Sequence, residues 1–201
     1  MINLKNTPKQ FFIFIGRSGC GKGTQAELLK ESLENGGLLD VLHITTGDTF
    51  REMMQRQEYV PTLSREIDGK GGLMPEFLAV WNWSKIFIDK LKENTSVILD
   101  GAPRRLHEAN ILTDAIDYLK YKNPIVVHID VSENWSKERL SSRGRADDTE
   151  KSIQNRMDWF ATDVQPVIDY YSSSHHYKYI KINGEDSIEN IHKSLMEKLE
   201  Y

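Results

Sequence analysis

The chain has 201 residues, of which 39% are hydrophobic and 28% are charged. This composition is typical of a folded globular protein, and the length predicts a single domain that spans residues 1–201. The formal net charge of -4 does not supply the broad positive field that attracts nucleic acids or anionic membranes. We therefore expect neither nucleic acid nor a membrane among the partners of this protein.

Cys20 is the single cysteine of the chain, which excludes an intrachain disulfide and a structural zinc cluster. So few thiols are typical of a reducing compartment, and the cytoplasm is the predicted location. Residues 1–10 are polar, and the apolar run that follows them covers only residues 11–15. Because this run is too short for a signal peptide or a membrane span, we expect neither here.

Short apolar segments alternate with helical patterns along the chain. The first, at residues 11–15, is a continuous β-prone run that ends in glycines, which is typical of a strand buried on both faces of a parallel sheet. A helix is predicted from Thr24 to Leu33, ahead of the stop signal at residues 35–37. The alternation predicts an α/β fold in which a five-stranded parallel sheet is covered by helices on both faces. The remaining strands are predicted at residues 41–44, 97–99, 125–131 and 177–182.

Two stretches interrupt this alternation. Residues 46–74 predict short helices, one that starts at Pro61 and another that ends at the glycines of residues 69–72, and we expect them to form an insertion over the carboxyl edge of the sheet. Residues 147–171 predict a long helix that Pro166 bends or divides. The apolar stripe of this helix consists of Ile153, Met157, Phe160, Val164 and Ile168.

A glycine-rich loop separates the first predicted strand from the first predicted helix. A loop in this position directs several backbone N–H groups into one concavity, where the helix dipole also favours negative charge. The pattern G-x-x-x-x-G-K at residues 16–22 predicts a nucleotide-phosphate site, in which Lys22 neutralises the β- and γ-phosphates and Thr24 helps to position Mg²⁺. The residues of this predicted donor site are Gly19, Cys20, Gly21, Lys22, Gly23 and Thr24.

Two further motifs follow predicted strands, and they bear on whether the protein binds a second substrate. T-G-D-x-x-R at residues 46–51 follows the second strand, and three residues separate Asp48 from Arg51, so that both project from one face of a helix. D-G-x-P-R at residues 100–104 ends the third strand. A nucleotide-dependent switch or a slow ATPase, the alternative from a different functional class, needs no such acceptor arginines.

These motifs carry a family resemblance. The string G-x-x-G-x-G-K-G-T-Q at residues 16–25 resembles the P-loop of the adenylate kinases and their nucleoside monophosphate kinase relatives, although Ser18 replaces the usual proline. The acceptor motifs resemble those of the same family, with Ala102 in place of the usual phenylalanine, and residues 71–75 resemble its G-x-L-V-P segment. The resemblance implies a P-loop nucleoside triphosphate hydrolase-like fold and transfer of the γ-phosphoryl group of Mg-ATP to a nucleoside monophosphate, with AMP favoured.

The resemblance also implies a division of the chain and a set of residue roles. The core would comprise residues 1–45, 75–142 and 146–201, and the insertion at residues 46–74 would bind the nucleoside monophosphate. Mg²⁺ would be held by Thr24, Asp48 and Asp100, through water. The implied acceptor site consists of Thr46, Arg51, Gly72, Met74, Gly101, Arg104, Glu108, Arg145 and Arg156, and the implied catalytic residues are Lys22, Arg104, Arg143, Arg145 and Arg156.

Several arginines follow the core strands. By resemblance Arg139 stacks on the donor adenine, Arg143 and Arg145 contact the transferred phosphoryl group, and Arg156 bridges both substrates. Arginines elsewhere are interpreted as surface residues paired with local acids, and two tryptophans of one helical segment as core or as a wall of the insertion. These residues are Arg56, Arg65 and Arg105, and Trp81 and Trp83.

Glu108 leaves the identity of the acceptor base open. At this position the adenylate kinases carry a glutamine that reads adenine, whereas an ionised carboxylate accepts hydrogen bonds only. A carboxylate would repel N1 of adenine and would suit the N1–H and N2–H donors of guanine. AMP is favoured by Thr46 and by the resemblance, with GMP or the pyrimidine monophosphates UMP and CMP as alternatives.

The family's mobile lid is almost absent from this sequence. Only Gly144 separates Arg143 from Arg145, so that the lid is reduced to residues 143–145. Because lid closure normally excludes water from the transferring phosphoryl group, we expect weak retention of ATP and measurable ATP hydrolysis without an acceptor. The protein is expected to be a monomer, or an oligomer if a neighbouring subunit covers the site.

Overall fold

The computed structural model describes residues 4, 7–38, 40–145 and 147–201. Residues 1–3, 5, 6, 39 and 146 lie outside this description, and with them part of the polar N-terminus and the residue that follows the short lid. Five parallel strands form one sheet in the order β2-β3-β1-β4-β5, which confirms the predicted fold class. The strands are β1 (Phe11–Ile15), β2 (Val41–Thr45), β3 (Ser96–Asp100), β4 (Ile125–Asp130) and β5 (Lys178–Asn183).

Helices connect the strands and cover both faces of the sheet. In the part of the chain that the structure describes, no helix is long and apolar enough to cross a membrane. The helices are α1 (Lys22–Asn35), α2 (Thr46–Met54), α3 (Tyr59–Asp68), α4 (Glu76–Lys90), α5 (Leu106–Tyr118), α6 (Glu133–Ser142), α7 (Glu150–Trp159), α8 (Gln165–Ser173) and α9 (Ile188–Leu199).

The side chains of β1 alternate between two hydrophobic cores. Phe11 and Ile13 point into a core that contains buried residues of α4, α5 and α8. Phe12 and Phe14 point into a second core, on the opposite face, that contains buried residues of α1 and α9. Because β1 lies between two layers of helices, its sequence is a continuous apolar run and not an alternation of apolar and polar residues.

The insertion over the sheet consists of α2 and α3. The two helices predicted around Pro61 and around the glycine cluster are one helix, α3, in which Pro61 is the third residue. Proline is tolerated there because the N–H groups of the first turn have no intrahelical acceptor. The prediction that a helix starts at Pro61 was therefore wrong by two residues, while its end at the glycines is confirmed.

The long helix predicted over residues 147–171 is divided, as Pro166 indicates. It begins at Glu150, after Thr149, whose side chain accepts a hydrogen bond from the Ser152 backbone N–H. A π-helical turn at Phe160–Val164 separates α7 from α8, and Pro166 lies in the first turn of α8. Proline has no backbone N–H to donate, and the wider turn accommodates the helical hydrogen bond that is therefore missing. All five predicted stripe residues are buried.

The end of the insertion is attached to α7. Asn155 Nδ2 donates a hydrogen bond of 2.6 Å to the Lys70 carbonyl, and Trp159 Nε1 donates one of 2.9 Å to the Gly71 carbonyl. Gly71 has φ +67°, and a Cβ on it would lie 2.4 Å from the Ser152 carbonyl oxygen. The close approach of two backbones therefore requires glycine at this position.

Gly71→Ala is expected to destabilise the protein by about 2–4 kcal/mol, since the positive φ costs about 1 kcal/mol and the overlap with Ser152 adds about 1–3 kcal/mol. Gly144→Ala is the matched control, because Gly144 has φ +68° and a methyl group placed on it would have no described atom within 4 Å. Urea unfolding at equilibrium measures both. Equal losses in the two variants would contradict the proposed backbone contact.

His128 of β4 is buried against β5. Its Nδ1 lies 2.6 Å from the Tyr179 hydroxyl, and its side chain is only 6% exposed. Burial lowers the pKa of His128 to about 4 and outweighs the opposing effect of Asp130. The folded protein therefore holds this imidazole neutral well below the pH at which an unfolded chain would protonate it.

Stability is expected to fall as the pH drops from about 6.5 to about 4, because the unfolded chain then binds a proton that His128 in the folded protein does not bind. The contribution amounts to about 3 kcal/mol. His128→Gln removes it, so the free energy of unfolding should depend less on pH in this variant than in the wild-type protein over that range. Parallel urea titrations at several pH values measure the difference, and identical pH profiles would exclude the effect.

Candidate functional site

The glycine-rich loop lies between β1 and α1, as predicted. Gly21 precedes α1 in a left-handed conformation, and Lys22 is the first residue of the helix. The Lys22 ammonium donates hydrogen bonds of 3.0 Å to the Gly16 carbonyl and 2.8 Å to the Arg17 carbonyl. The lysine thus lies over its own loop, where an incoming phosphate can replace the two carbonyls.

Neighbouring elements hold this loop in place. The Ser136 hydroxyl of α6 donates a hydrogen bond of 2.5 Å to the Ser18 carbonyl. A Cβ on Gly16 would lie 2.3 Å from the Ile129 carbonyl oxygen of β4, so the close packing of loop and strand requires glycine. The loop is therefore held in position by contacts with β4 and α6.

Cys20 contributes to the loop through its backbone. Its side chain is buried, its Sγ atom lies 3.5 Å from Lys22 Nζ, and burial raises the pKa of the thiol. Gly23 and Thr24 follow in the exposed first turn of α1. The predicted donor residues are thus contiguous around the start of α1.

A second pocket opens at the carboxyl edge of the sheet, beside this loop. Its wall combines apolar side chains, including Met54 and Met74, with arginines and aspartates. Of the predicted acceptor residues, Arg145 alone is absent from the described lining. Those that the structure brings together are Thr46, Arg51, Gly72, Met74, Gly101, Arg104, Glu108 and Arg156.

Arg104 and Arg156 are held in fixed orientations in this pocket. Arg104 Nε donates a hydrogen bond of 2.8 Å to the Gly101 carbonyl, and its guanidinium lies 5.4 Å from the centre of the Trp159 ring. Arg156 Nη2 donates one of 2.5 Å to Asp147 Oδ2. Burial lowers the pKa of Arg104, and arginine nevertheless stays charged at neutral pH. The pocket therefore presents positive charge in a partly dehydrated setting, which suits a phosphate.

Asp100 lies at the end of β3, between the loop and the pocket. The residue is 7% exposed, and burial raises its pKa against the opposing charge of Lys22. Its Oδ1 atom is buried and has no hydrogen-bond partner among the described residues. An unpartnered carboxylate oxygen next to a phosphate loop fits a hydrated Mg²⁺ ion.

The other two predicted magnesium residues are more exposed. Thr24 lies in the first turn of α1, and Asp48 on α2 forms an ion pair with Arg51. Within the described ranges, no three His, Cys, Asp or Glu side chains form a cluster that could hold a metal ion by themselves. A magnesium ion shared with nucleotide phosphates does not require such a cluster, because phosphates and water supply most of its ligands.

The remaining predicted arginines lie at or beyond the end of α6. Arg139 has its guanidinium 5.5 Å from the centre of the Trp135 ring. Arg143 Nη2 donates a hydrogen bond of 2.8 Å to Asp148 Oδ1, and Arg143 Nε contacts the same carboxylate. Arg145 is exposed, and its pKa is lowered by partial burial and by the charges of Arg143 and Arg51.

Sequence reasoning misassigned Arg105. It was predicted to be a surface residue paired with a local acid, which is wrong: Arg105 lines the pocket, donates a hydrogen bond of 2.8 Å to the Met74 carbonyl, and pairs with the distant Asp163. Arg65 binds the carbonyls of Met54 and Arg56, whereas Arg56 pairs with nearby Glu58 as expected. The position of Arg105 directly after the motif residue Arg104 was the signal in the sequence that could have placed it at the pocket.

Two tryptophans of the site were also missed. Trp83 is buried in the core, as predicted, but its Nε1 also donates a hydrogen bond of 3.2 Å to Glu108 Oε1. Trp159, which supports Arg104, was not singled out, although it follows Arg156 by three residues and so shares a helix face with it. Trp81, by contrast, is 42% exposed.

Comparison with known proteins agrees with the geometry. Residues 14–176 match the family model described as adenylate kinase. The chain is 35% identical to adenylate kinase 1 of a Nostoc species over 179 residues, which are 89% of this chain and 92% of the relative. It is 31% identical to the adenylate kinase of Prochlorococcus marinus over 192 residues, covering 95% of this chain and 99% of the relative.

The similarity extends to a third relative. The adenylate kinase of Encephalitozoon cuniculi is 32% identical over 174 residues, which are 86% of this chain and 88% of the relative. The family match spans both the glycine-rich loop and the pocket at the carboxyl edge of the sheet, together with most of the sheet that carries them. On this ground the chain belongs to the adenylate kinase family.

Proposed function

We propose that the phosphate loop and the acceptor pocket together form the active site of an adenylate kinase, which converts ATP and AMP reversibly into two ADP. The observation that carries this proposal is the half-buried Arg104 in a pocket that adjoins the loop through Asp100. A phosphate-binding arginine there has a role only if a second phosphate-bearing substrate sits opposite the donor. As a family member the protein is a nucleoside monophosphate phosphotransferase.

The donor ATP is proposed to bind at the start of α1. The backbone N–H groups of residues 19–24 would hold its β-phosphate, while Lys22 would exchange the carbonyls of Gly16 and Arg17 for phosphate oxygens. Thr24, Asp48 and Asp100 would hold Mg²⁺ through water, and the ion would supply positive charge against the β- and γ-phosphates. Arg139 of α6 is proposed to stack on the adenine.

The acceptor AMP is proposed to occupy the pocket under the insertion. Arg51, Arg104 and Arg156 would hold its phosphate, and Thr46 and Met74 would contact its base. Such anchoring replaces a bimolecular encounter by a fixed in-line arrangement of the reacting oxygen and phosphorus. Gly72, Gly101 and Glu108 complete the proposed acceptor site.

Catalysis then rests on positioning and on neutralisation of charge. The transferring phosphoryl group spreads negative charge over its equatorial oxygens, and an arginine at that place contributes about 10³–10⁵ in rate. Arg143 and Arg145 are proposed for this role. Arg143 is held by Asp148, so a phosphoryl group would compete with this carboxylate for the guanidinium.

The sequence left other functions open, and each of them can be tested. A GMP kinase or a UMP/CMP kinase would use the same phosphate contacts with a different base, and the relatives support AMP. A switch protein or slow ATPase without an acceptor would leave the arginine-lined pocket without a role. We keep a monomer and a cytoplasmic location as proposals, the latter because the single cysteine is buried and unpaired in the described structure.

The purified protein is expected to form ADP from Mg-ATP and AMP, and to do so faster than it phosphorylates GMP, UMP or CMP. Arg104→Lys should lower kcat about 10³-fold, because an ammonium cannot replace the planar guanidinium. Arg56→Lys is the matched control, since Arg56 pairs with Glu58 on the surface. Chromatographic separation of the diphosphates measures all four reactions, and no diphosphate from any acceptor would contradict the kinase function.

The short lid predicts hydrolysis of ATP without an acceptor, because residues 143–145 are too few to cover the transferring phosphoryl group. The rate of phosphate release in the absence of AMP should exceed that of Lys22→Met, which lacks the donor lysine. Light scattering should accompany the assay to establish the oligomeric state. A wild-type rate equal to that of Lys22→Met, in a monomeric protein, would rule this prediction out.

A further inference from the structure

Glu108 is a buried carboxyl group in the wall of the acceptor pocket. It lies in the first turn of α5 and is only 1% exposed. Trp83 Nε1 donates a hydrogen bond of 3.2 Å to its Oε1 atom, and the Arg104 backbone N–H donates one of 2.8 Å to its Oε2 atom. Each oxygen therefore accepts one of these two hydrogen bonds, and a carboxyl oxygen can accept two.

Both donors are themselves fixed, so the carboxyl group cannot turn away from the pocket. Trp83 is 1% exposed and packs against Phe87, with ring centres 5.3 Å apart. The loop that carries the Arg104 N–H is closed by the hydrogen bond from Arg104 Nε to the Gly101 carbonyl. Glu108 is thus held in the pocket by two N–H donors, whereas Asp147 there is held by an ion pair with Arg156.

The surroundings of Glu108 oppose its ionisation on balance. The charged and titratable groups around Glu108 include the Arg104 guanidinium on the loop before α5 and the Tyr171 phenol on α8, and α4 contributes the neutral indole of Trp83. The other charged residues of the same pocket are Arg51, Asp68, Arg105, Asp147 and Arg156. Burial raises the pKa of Glu108 even though Arg104 and Trp83 favour the charged form. A neutral carboxylic acid differs from a carboxylate in one decisive respect, since it can also donate a hydrogen bond.

Resting on the proposed function, we propose that Glu108 reads the acceptor base as a neutral carboxylic acid, and that its proton makes the site select adenine. The acid O–H would donate to N1 of adenine while the other oxygen accepts from the N6 amino group. After ionisation both oxygens only accept, so that N1 of adenine is repelled, whereas the N1–H and N2–H groups of guanine are accepted. The preference for AMP over GMP should therefore decline as the pH rises.

To test this assignment, the apparent KM for AMP is measured from about pH 6 to about pH 9 in the wild-type protein and in Glu108→Gln. The amide of glutamine is isosteric and has no proton to lose at these pH values. In the wild-type protein the KM for AMP should rise about tenfold per pH unit above the carboxyl pKa, if only the acid binds. The KM of Glu108→Gln should change only with the ionisation of the AMP phosphate, which both proteins share.

Calorimetry gives a second measurement that does not depend on turnover. Titration of AMP into the wild-type protein, in two buffers of different ionisation enthalpy, should reveal uptake of a proton at the upper end of the pH range that Glu108→Gln does not take up. Trp83→Phe tests the positioning role, because loss of the indole N–H removes a bond that favours the anion. The rise of KM for AMP should then begin at a higher pH.

The outcomes separate the two proposals. The first measurement gives the KM for AMP of the wild-type protein divided by that of Glu108→Gln. If this ratio stays constant with pH, or if both proteins take up the same number of protons, the assignment of Glu108 is overturned and the kinase function is left intact. If neither protein forms ADP from ATP and AMP at any pH, the proposed function fails. The proposal that a neutral Glu108 binds the base is supported if this KM ratio rises with pH and if the preference for GMP over AMP rises with pH in the wild-type protein only.

Discussion

Strand β1 lies in the middle of the sheet, paired with β3 on one side and β4 on the other, and both of its faces are buried. The rest of the structure depends on this arrangement. Because all strands are parallel, the loops after β1, β2 and β3 open at one edge of the sheet. The phosphate loop, the start of α2 and Asp100 meet there for that reason, although they are far apart in the chain.

Several charges of the site at this edge are oriented and partly dehydrated by the fold. Arg104 stacks on Trp159 and is held by the Gly101 carbonyl, and Arg156 is held by Asp147. Orienting these groups costs free energy during folding, and that cost is not incurred again when a phosphate arrives. The same logic applies to Asp100, whose unpartnered oxygen is held next to the phosphate loop by the backbone of a central strand.

The insertion and the second half of the chain are joined at the pocket. Gly71 approaches the backbone of α7 closely, Trp159 of α7 binds the Gly71 carbonyl, and Arg105 links the Met74 carbonyl to Asp163. Asp163 lies in the π-helical turn that Pro166 follows. A segment whose sequence looks like one interrupted helix therefore serves to hold the acceptor side of the site against the core.

Much of this protein was predictable because its signals are local. A continuous apolar run predicts a buried strand, glycines before a lysine predict a phosphate loop, and Asp100 and Arg104 follow a strand whose carboxyl end must face that loop. The motif residues of the acceptor site could be predicted in the same way, and the structure brings them together with the exception of Arg145. How each binds its substrate remains a proposal. Contacts between residues far apart in the chain were not predictable: Arg105 was taken for a surface residue because its partners, Met74 and Asp163, are 31 and 58 residues away.

The sequence by itself determined the strands, the glycine-rich loop and the positions of the motif arginines, because each of these follows from short-range patterns of side-chain size, charge and backbone freedom. The tertiary structure alone decided the environment of Glu108. Trp83 was assigned to the core or to a wall of the insertion on the basis of its apolar neighbours, and only the packing of α4 against α5 brings its N–H to Glu108. The burial of Glu108 and its two hydrogen bonds come from separate elements, and the protonation of a carboxyl group depends on everything that replaces water around it.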